Sequence, residues 1–255
     1  KKKKVVAGNV TLEEGAPKIC VPLTGRDALG LADDLEKLDG VPWDMVEWRA
    51  DYYEGLDEPG SLEQALQMIR QKIGGRPLLF TYRTAEEGGK GLDDWEHYRA
   101  CNERAAGTGL ADLIDLEMNR GEERVRSLAA CLHDKNTAVL LSFHDFHKTP
   151  SREEMVERMR KMQEMGGDVV KLAVMPKTGE DVLCLMAASL DMRERYADRP
   201  FVTMSMGPMG AVTRISGGLT GSAITFGTAG EASAPGQLPA RKLALCLQIL
   251  SECDE

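Results

Sequence analysis

Eight short apolar runs, separated by longer charged segments of helical period, constrain the fold of this 255-residue chain more than any other feature. This alternation is typical of repeated βα units around a parallel sheet. Eight strands that each precede a helix close more naturally into a (β/α)8 barrel than into an open sheet, whose edges need protection. The runs are Lys18–Gly25, Met45–Asp51, Pro77–Arg83, Leu113–Met118, Ala138–His144, Val169–Met175, Phe201–Met206 and Ala223–Gly227.

The rest of the chain gives no sign of a second domain. No Pro/Gly/Ser-rich linker or low-complexity block interrupts it, so we expect one α/β domain, a TIM barrel over residues 1–255. Residues 4–16 precede the first run and carry the turn signal Glu13-Glu14-Gly15. The sequence therefore predicts an N-terminal hairpin that closes one end of the barrel.

Charge and hydropathy narrow the possible partners. A net charge of −9 argues against nucleic acid or an anionic membrane, although a local basic pocket can still hold a small acid. No apolar run approaches the ~18 residues that a membrane span needs, and no hydrophobic signal-peptide core follows the opening lysines. The six cysteines form no C-x-x-C pair, which favours reduced thiols. We therefore expect a cytoplasmic protein.

Polar side chains occur within or at the ends of the predicted strands. Burying them unpaired would cost about 2–7 kcal/mol each. Alternate residues of a strand share a face, so these side chains can line the barrel lumen near its C-terminal rim, where active sites of this fold gather. A polar network that merely fills the barrel is the alternative. The residues are Glu47, Arg49, Asp51, Arg83, Asp115, Glu117, Ser142, His144 and Lys171.

Lys171 is a lone amine inside the apolar run Val169–Met175. Desolvation there would lower its pKa and leave more free amine near neutral pH. A free amine attacks carbonyls, and the resulting Schiff base acidifies the adjacent carbon. Lys171 therefore predicts carbonyl chemistry such as dehydration, aldol cleavage or transamination. A salt-bridged or snorkelling lysine is the alternative, because acidic residues occur in neighbouring strands.

His144 ends the fifth run and would place an imidazole at the rim, where a general acid/base is needed. His147 lies beyond the strand end and is less suited to point inward. A His-x-x-His metal site would require further ligands at a suitable spacing, and neither a cysteine nor a third histidine is close in sequence. We therefore expect no metal.

Three loops after the runs carry polar groups to the same rim. Residues 84–89 hold two carboxylates, either of which could orient a histidine, although a solvated acidic loop is the ordinary alternative. Arg214 follows the seventh run and residues 231–237 follow the eighth, so an arginine and small polar groups are available to clamp an anion. The glycines at 217–218 and 221 could instead indicate a phosphate cradle.

Six sequence blocks, in the same order along nearly the whole chain, resemble type I 3-dehydroquinate dehydratase, a shikimate-pathway enzyme with a (β/α)8 fold and a Schiff-base lysine. The blocks are Glu47-Trp-Arg49, Phe80-Thr-Tyr-Arg83 with Glu87-Gly-Gly89, His144-Asp-Phe-His-Lys-Thr-Pro150, Lys171-Leu-Ala-Val-Met-Pro176, Thr203-Met-Ser-Met206 and Ser233-Ala-Pro-Gly-Gln237.

The resemblance implies a lyase that dehydrates 3-dehydroquinate to 3-dehydroshikimate in aromatic amino-acid biosynthesis. Lys171 would condense with the C3 ketone, His144 would be the general acid/base, and Glu87 would orient that histidine. Arg214 would clamp the substrate carboxylate. Family members need no metal or organic cofactor and commonly form homodimers. The positions implied to bind substrate are Glu47, Arg49, Arg83, Arg214, Ser233 and Gln237.

Two positions depart from the family pattern. Pro22 stands where many relatives have a serine that touches the substrate, and proline supplies neither a hydroxyl nor a backbone N–H. Glu86 stands where close relatives often carry a basic residue, so the orienting role goes to Glu87, which directly precedes two glycines.

Two other functions remain open from the sequence. A Schiff-base aldolase would share the barrel and the amine, but it usually needs a phosphate site that this chain indicates poorly. A catalytically silent barrel could bind a small hydroxy acid as a sensor or scaffold, although intact Lys171, His144 and Glu87 argue against that function.

Overall fold

The computed structural model describes residues 1–230 and 237–253. Two short strands, β1 (Val5–Ala7) and β2 (Val10–Leu12), form an antiparallel hairpin. Eight further strands form one parallel sheet. In chain order they are β3 (Lys18–Leu23), β4 (Met45–Arg49), β5 (Leu78–Thr81), β6 (Leu113–Glu117), β7 (Ala138–Asp145), β8 (Val169–Val174), β9 (Phe201–Ser205) and β10 (Ile224–Phe226).

The hydrogen-bonded order of the sheet is β10, β3, β4, β5, β6, β7, β8, β9. A bridge between Phe201 at the start of β9 and Ser222 just before β10 joins the two ends. The predicted (β/α)8 barrel is therefore confirmed, and each strand ends within two residues of the run that predicted it. Asp51 and Arg83 lie just past their strands rather than inside them.

Helices follow the strands around the outside of the barrel. Helix α5 shows why they form: the Ser151 side chain accepts a hydrogen bond from the Glu154 N–H, and methionines at helical spacing bury one face. No helix in the described part of the chain is both long and apolar enough to cross a membrane. The helices are α1 (Ala28–Glu36), α2 (Ser61–Ile73), α3 (Trp95–Gly107), α4 (Glu122–Asp134), α5 (Arg152–Glu164), α6 (Gly179–Asp191), α7 (Gly217–Thr220) and α8 (Ala240–Glu252).

Alternate strand residues point to two different cores. Outward side chains such as Trp48 and Phe80 pack with the helices, with their rings edge to face at 5.5 Å. Inward side chains form layers across the lumen, as is usual in this fold. The apolar lower layer includes Met45, Leu79, Leu113, Leu140 and Val169. Two residues further along each of the same strands, the inward positions are Glu47, Thr81, Asp115, Ser142 and Lys171.

The hairpin of β1 and β2 covers the lower end of the lumen. Its side chains Ala7 and Leu12 are buried in the same apolar cluster as the lower layer. Gly8 turns the hairpin with φ +53°, and a Cβ there would lie 2.3 Å from the carbonyl oxygen of Gly75, so only glycine fits. The predicted closing hairpin is present, and it faces away from the rim where the polar side chains lie.

Candidate active site

Lys171 lies in the middle of β8 with only 6% of its surface exposed. Its Nζ is 4.4 Å from the centroid of the Phe226 ring, and it makes no ion pair with any described residue. Burial lowers the pKa of this amine; nearby Glu47 opposes the shift, and the charge of Arg83 adds to it. The lumen therefore makes the free base, the form in which an amine is nucleophilic, easier to reach than it is for an exposed lysine.

His144 lies on β7, one step closer to the rim than the Ser142–Lys171 pair. Its backbone N–H donates to Oε1 of Glu87 at 2.9 Å, and its Nδ1 lies 3.3 Å from the same oxygen. Burial, followed by the charges of Arg83 and Lys171, holds the pKa of His144 well below its usual value. The imidazole is therefore neutral, and with Nδ1 directed at Glu87, Nε2 is left for proton transfer.

Glu87 closes a short 3-10 turn after β5, and the two glycines behind it are required by packing. Gly88 has φ +88°, and a Cβ there would lie 2.5 Å from the ring of Phe146, which stacks on His144. A Cβ on Gly89 would lie 2.1 Å from the carbonyl oxygen of Arg83. Burial, with the charge of Glu117, raises the pKa of Glu87 to about 8.

Arg83 is buried against the wall of the barrel. Its Nη1 donates to Oδ1 of Asp115 at 3.0 Å, Oε2 of Glu117 at 3.0 Å and Oγ of Ser142 at 3.1 Å, and its Nη2 donates to Oδ2 of Asp115 at 2.9 Å. The protein thus compensates this cation with two carboxylates, Asp115 and Glu117, whose role could not be predicted from the sequence. Contact between Arg83 and a substrate stays a prediction. The N–H of Nε and one hydrogen of Nη2 are not used in these four hydrogen bonds and could donate to a ligand.

Glu47 and Arg49 point into the lumen from β4. Oε2 of Glu47 accepts a hydrogen bond from Oγ1 of Thr81 at 2.8 Å. Arg49 forms a bidentate pair with Asp51 at 2.9 and 2.8 Å, and Asp51 also accepts from the backbone N–H of Lys90 at 3.0 Å. Asp51 therefore connects Arg49 to the loop after β5. The two residues are two positions apart in the sequence, which places them on the same face of a strand and predicts their contact.

Arg214 follows β9 at the end of the turn Pro208–Arg214. Its Nη1 donates to the sulfur of Met204 at 3.2 Å, and no carboxylate lies within ion-pair distance in the described part of the chain. Burial lowers the pKa of this guanidinium. A largely desolvated cation without an acidic partner is suited to an anionic ligand.

The remaining predicted positions are less informative. Gln237 is exposed, and Ser233 lies outside the described residues. Pro22 is partly buried on β3 and pairs in register with Glu47. Glu86 is exposed and pairs with Arg120. Within residues 1–230 and 237–253, no group of His, Cys, Asp and Glu side chains could hold a metal ion.

The barrel and the site together define a class: a (β/α)8-barrel enzyme with a desolvated amine, a neutral imidazole on the adjacent strand and a guanidinium at the rim without an acidic partner among residues 1–230 and 237–253. A family model described as type I 3-dehydroquinase matches residues 19–254. The chain belongs to this family.

Individual relatives agree with the family match. The chain is 46% identical over 249 residues to a 3-dehydroquinate dehydratase from Bacillus licheniformis, covering 98% of each chain. The structure of a type I enzyme from Clostridium difficile with covalently modified comenic acid matches with a TM-score of 0.95, 41% identity and 99% of each chain covered. A Geobacillus kaustophilus 3-dehydroquinate dehydratase matches with a TM-score of 0.94 and 33% identity, covering 99% of this chain and 98% of that one.

Proposed function

We propose that this enzyme dehydrates 3-dehydroquinate to 3-dehydroshikimate through a Schiff base on Lys171, as a step of aromatic amino-acid biosynthesis. The observation that carries the proposal is Lys171 itself, a buried amine without an ion-pair partner among the described residues, beside the neutral imidazole of His144. The names of the relatives support this substrate, and the covalent modification in the Clostridium difficile enzyme supports covalent chemistry.

The first half of the reaction forms the imine. The Lys171 amine adds to the C3 carbonyl, and the carbinolamine loses water to give an iminium ion. His144 assists through Nε2, which takes a proton from solvent and passes it to the carbinolamine hydroxyl, so that this group leaves as water and His144 is neutral again. The iminium is an electron sink, so the adjacent C2–H bond becomes acidic without help from a metal or an organic cofactor.

The second half is elimination. Nε2 of His144 takes a proton from C2, and the electron pair of that bond forms an enamine. The enamine then expels the C1 hydroxyl, which His144 protonates so that it leaves as water. Hydrolysis of the product imine returns free Lys171 and releases 3-dehydroshikimate. One imidazole can serve as base and then as acid because its ordinary pKa lies near neutrality.

The ring is held by the polar groups around the amine. Arg214 binds the substrate carboxylate because its guanidinium has no acidic partner in the described residues. Glu87 orients His144 through Oε1. The ring hydroxyls meet the other predicted contacts, Glu47, Arg49, Arg83, Ser233 and Gln237.

We further propose that the enzyme acts in the cytoplasm as a homodimer, as the family resemblance implies.

The direct test is to mix the folded protein with 3-dehydroquinate and follow the conjugated enone of 3-dehydroshikimate by ultraviolet absorbance. We expect the absorbance to rise. Borohydride added during turnover should leave a reduced adduct on the peptide that contains Lys171, which mass spectrometry detects. No absorbance rise from protein with a native circular-dichroism spectrum would reject the activity, and an adduct on another lysine would reject the assignment.

A histidine pair separates imine formation from elimination. In His144→Ala we expect borohydride to trap the substrate imine while the enone signal stalls, because the base for C2 is missing. The matched control is His147→Ala, which removes an exposed imidazole three residues along the chain and should leave both signals unchanged. Equal effects of the two substitutions would contradict the role given to His144.

A further inference from the structure

Glu117 is a completely buried carboxylate at the end of β6. Its Oε1 accepts a hydrogen bond from Oγ1 of Thr84 at 2.6 Å, and its Oε2 accepts from the Thr84 N–H at 3.0 Å and from Nη1 of Arg83 at 3.0 Å. Nε of Arg120 lies 3.3 Å from Oε1. Glu117 therefore accepts three hydrogen bonds from its neighbours and lies beside two guanidinium groups, Arg83 and Arg120. Through Thr84, Glu117 also anchors the start of the turn that carries Glu87.

Glu87 is arranged differently. Its Oε1 faces two donors of His144, but its Oε2 is buried and receives no hydrogen bond from any described residue. Besides His144, the Glu117 side chain faces the Glu87 carboxyl, and its charge and hydrogen bond raise the pKa of Glu87. Two ionised carboxylates that face each other in a buried site repel strongly, whereas one shared proton turns the same contact into a hydrogen bond.

We propose that Glu117 is a positioning residue of the active site: it anchors the Glu87 turn through Thr84 and accepts a hydrogen bond from a proton on Oε2 of Glu87. Glu87 then faces His144 as a neutral acid. The charged and titratable groups that face Glu87 are Glu117, Arg83, Arg120 and His144. The raised pKa of Glu87, about 8, agrees with this arrangement.

The consequence for catalysis rests on the proposed function. A neutral Glu87 does not stabilise an imidazolium in the resting enzyme, so His144 stays a free base. When His144 takes the C2 proton, the Glu87–Glu117 pair still carries one negative charge close to it. The pair therefore orients the imidazole without protonating it in advance.

Infrared spectroscopy of the ligand-free enzyme tests the shared proton without any turnover, so its outcome is independent of the dehydratase activity. The difference spectrum between the native enzyme and Glu87→Gln should contain a carboxylic-acid C=O stretch at neutral pH. That band should disappear as the pH rises through about 8. If the difference spectrum shows only carboxylate bands at neutral pH, the proposal is overturned.

Kinetics of Glu117→Gln test the positioning role. The amide oxygen can still accept from Thr84 and Arg83, but loss of the charge lowers the pKa of Glu87, which then ionises and raises the pKa of His144. The acid limb of the kcat/KM profile should move up by about one pH unit, the shift that a neighbouring charge produces. The control Glu123→Gln, an exposed carboxylate in the first turn of α4, should not move it.

A merely structural Glu117 would give a different result: lower activity at every pH with an unmoved acid limb, and this outcome would overturn the proposal.

Glu87→Gln and Glu87→Ala provide a comparison that leaves Glu117 intact. A glutamine imitates the neutral acid, so we expect its kcat to stay within roughly tenfold of the native value, whereas alanine, which cannot orient the imidazole, should lose more of the ~10²–10⁴-fold that acid–base catalysis supplies. Equal losses would also count against a neutral Glu87.

Discussion

Two walls of the lumen each contain an arginine, buried at Arg83 and partly buried at Arg214, and the two arginines have opposite surroundings. In the compensated wall, formed by β5, β6 and β7, Arg83 is paired with Asp115 and Glu117. In the open wall, formed by β9 and β10, Arg214 contacts the sulfur of Met204 and has no acidic partner in the described residues. Lys171 lies on β8 between them. The same residue type thus supports the barrel on one side and is available to a ligand on the other.

The difference shows that a small polar site can neutralise one buried charge with its own carboxylates and leave another charge for a ligand. Removing one partner of a buried ion pair leaves an uncompensated charge, so the compensated wall depends on all its members for stability. In the described part of the chain, the open wall contains a cation without an acidic partner, and we expect an anionic ligand to lower its energy. Each of the following substitutions tests this contrast.

The largest effect should follow from removing the amine between the walls. We expect Lys171→Ala to lower kcat by on the order of 10⁴–10⁶-fold, as when a covalent catalyst is lost. The enone assay measures this loss. Lys177→Ala, at an exposed lysine shortly after the same strand, should keep native activity. Unchanged turnover in Lys171→Ala would mean that the chemistry does not lie between the two walls.

The next effect should appear in stability. Arg83→Met leaves Asp115 buried without its cation and Glu117 with Arg120 alone, so we expect the free energy of unfolding to fall by about 3–5 kcal/mol. Urea denaturation followed by circular dichroism measures it. The matched substitution Arg214→Met should cause no such loss, because it removes a cation that has no acidic partner where the structure describes the chain. If both variants lost the same stability, the contrast between the walls would be wrong.

Arg214→Met should instead weaken substrate binding. A charge-assisted hydrogen bond is worth about 1.5–3 kcal/mol, so we expect KM for 3-dehydroquinate to rise by roughly 10- to 150-fold. Arg214→Lys should recover part of the loss, since it keeps the charge but not the planar fork. Initial rates across a range of substrate concentrations provide the measurement. An unchanged KM in both variants would remove Arg214 from the binding site.

The pH profile offers a smaller effect from the compensated wall. His144 must be unprotonated to take the C2 proton, and burial together with Arg83 lowers its pKa. A lowered pKa keeps the base form to more acidic pH, so the acid limb of kcat/KM should lie below the ordinary histidine value of about 6.5. A limb at or above that value would show that the cations of the wall do not act on His144.

The smallest effect should come from Pro22, which lies opposite Glu47 on neither wall. Pro22→Ser adds the hydroxyl that the family resemblance predicts at this position. One added hydrogen bond is worth about 0.5–1.5 kcal/mol, so we expect KM to fall by roughly two- to tenfold with kcat unchanged. Steady-state kinetics check it, and a KM that does not fall would show that the serine contact is not available in this barrel.

The strands, the closing hairpin and the inward polar layer could be predicted because they depend on periodicity, which a sequence displays directly. That Lys171 and His144 point into the same lumen follows from alternation along adjacent strands. Glu87 came from the family resemblance, since a loop residue has no period.

The partner of each charge could not be predicted. Arg83 and Arg214 were both assigned to the substrate, and nothing in their sequence surroundings distinguishes a guanidinium held by two carboxylates from one that lies against a methionine. That distinction depends on side-chain positions across several strands. For the same reason neither a role for Glu117 nor its contact with Glu87 could be predicted.

The hairpin at the lower end of the barrel also determines the route by which the substrate enters and the products leave. Because Ala7 and Leu12 close that end, in the described part of the chain a substrate reaches Lys171 only by way of the rim. Dehydration makes two products from one substrate. Under the proposed function, the released water and the enone must both leave through the rim. The loops around the rim therefore control arrival and departure together, and a change that speeds one will also alter the other.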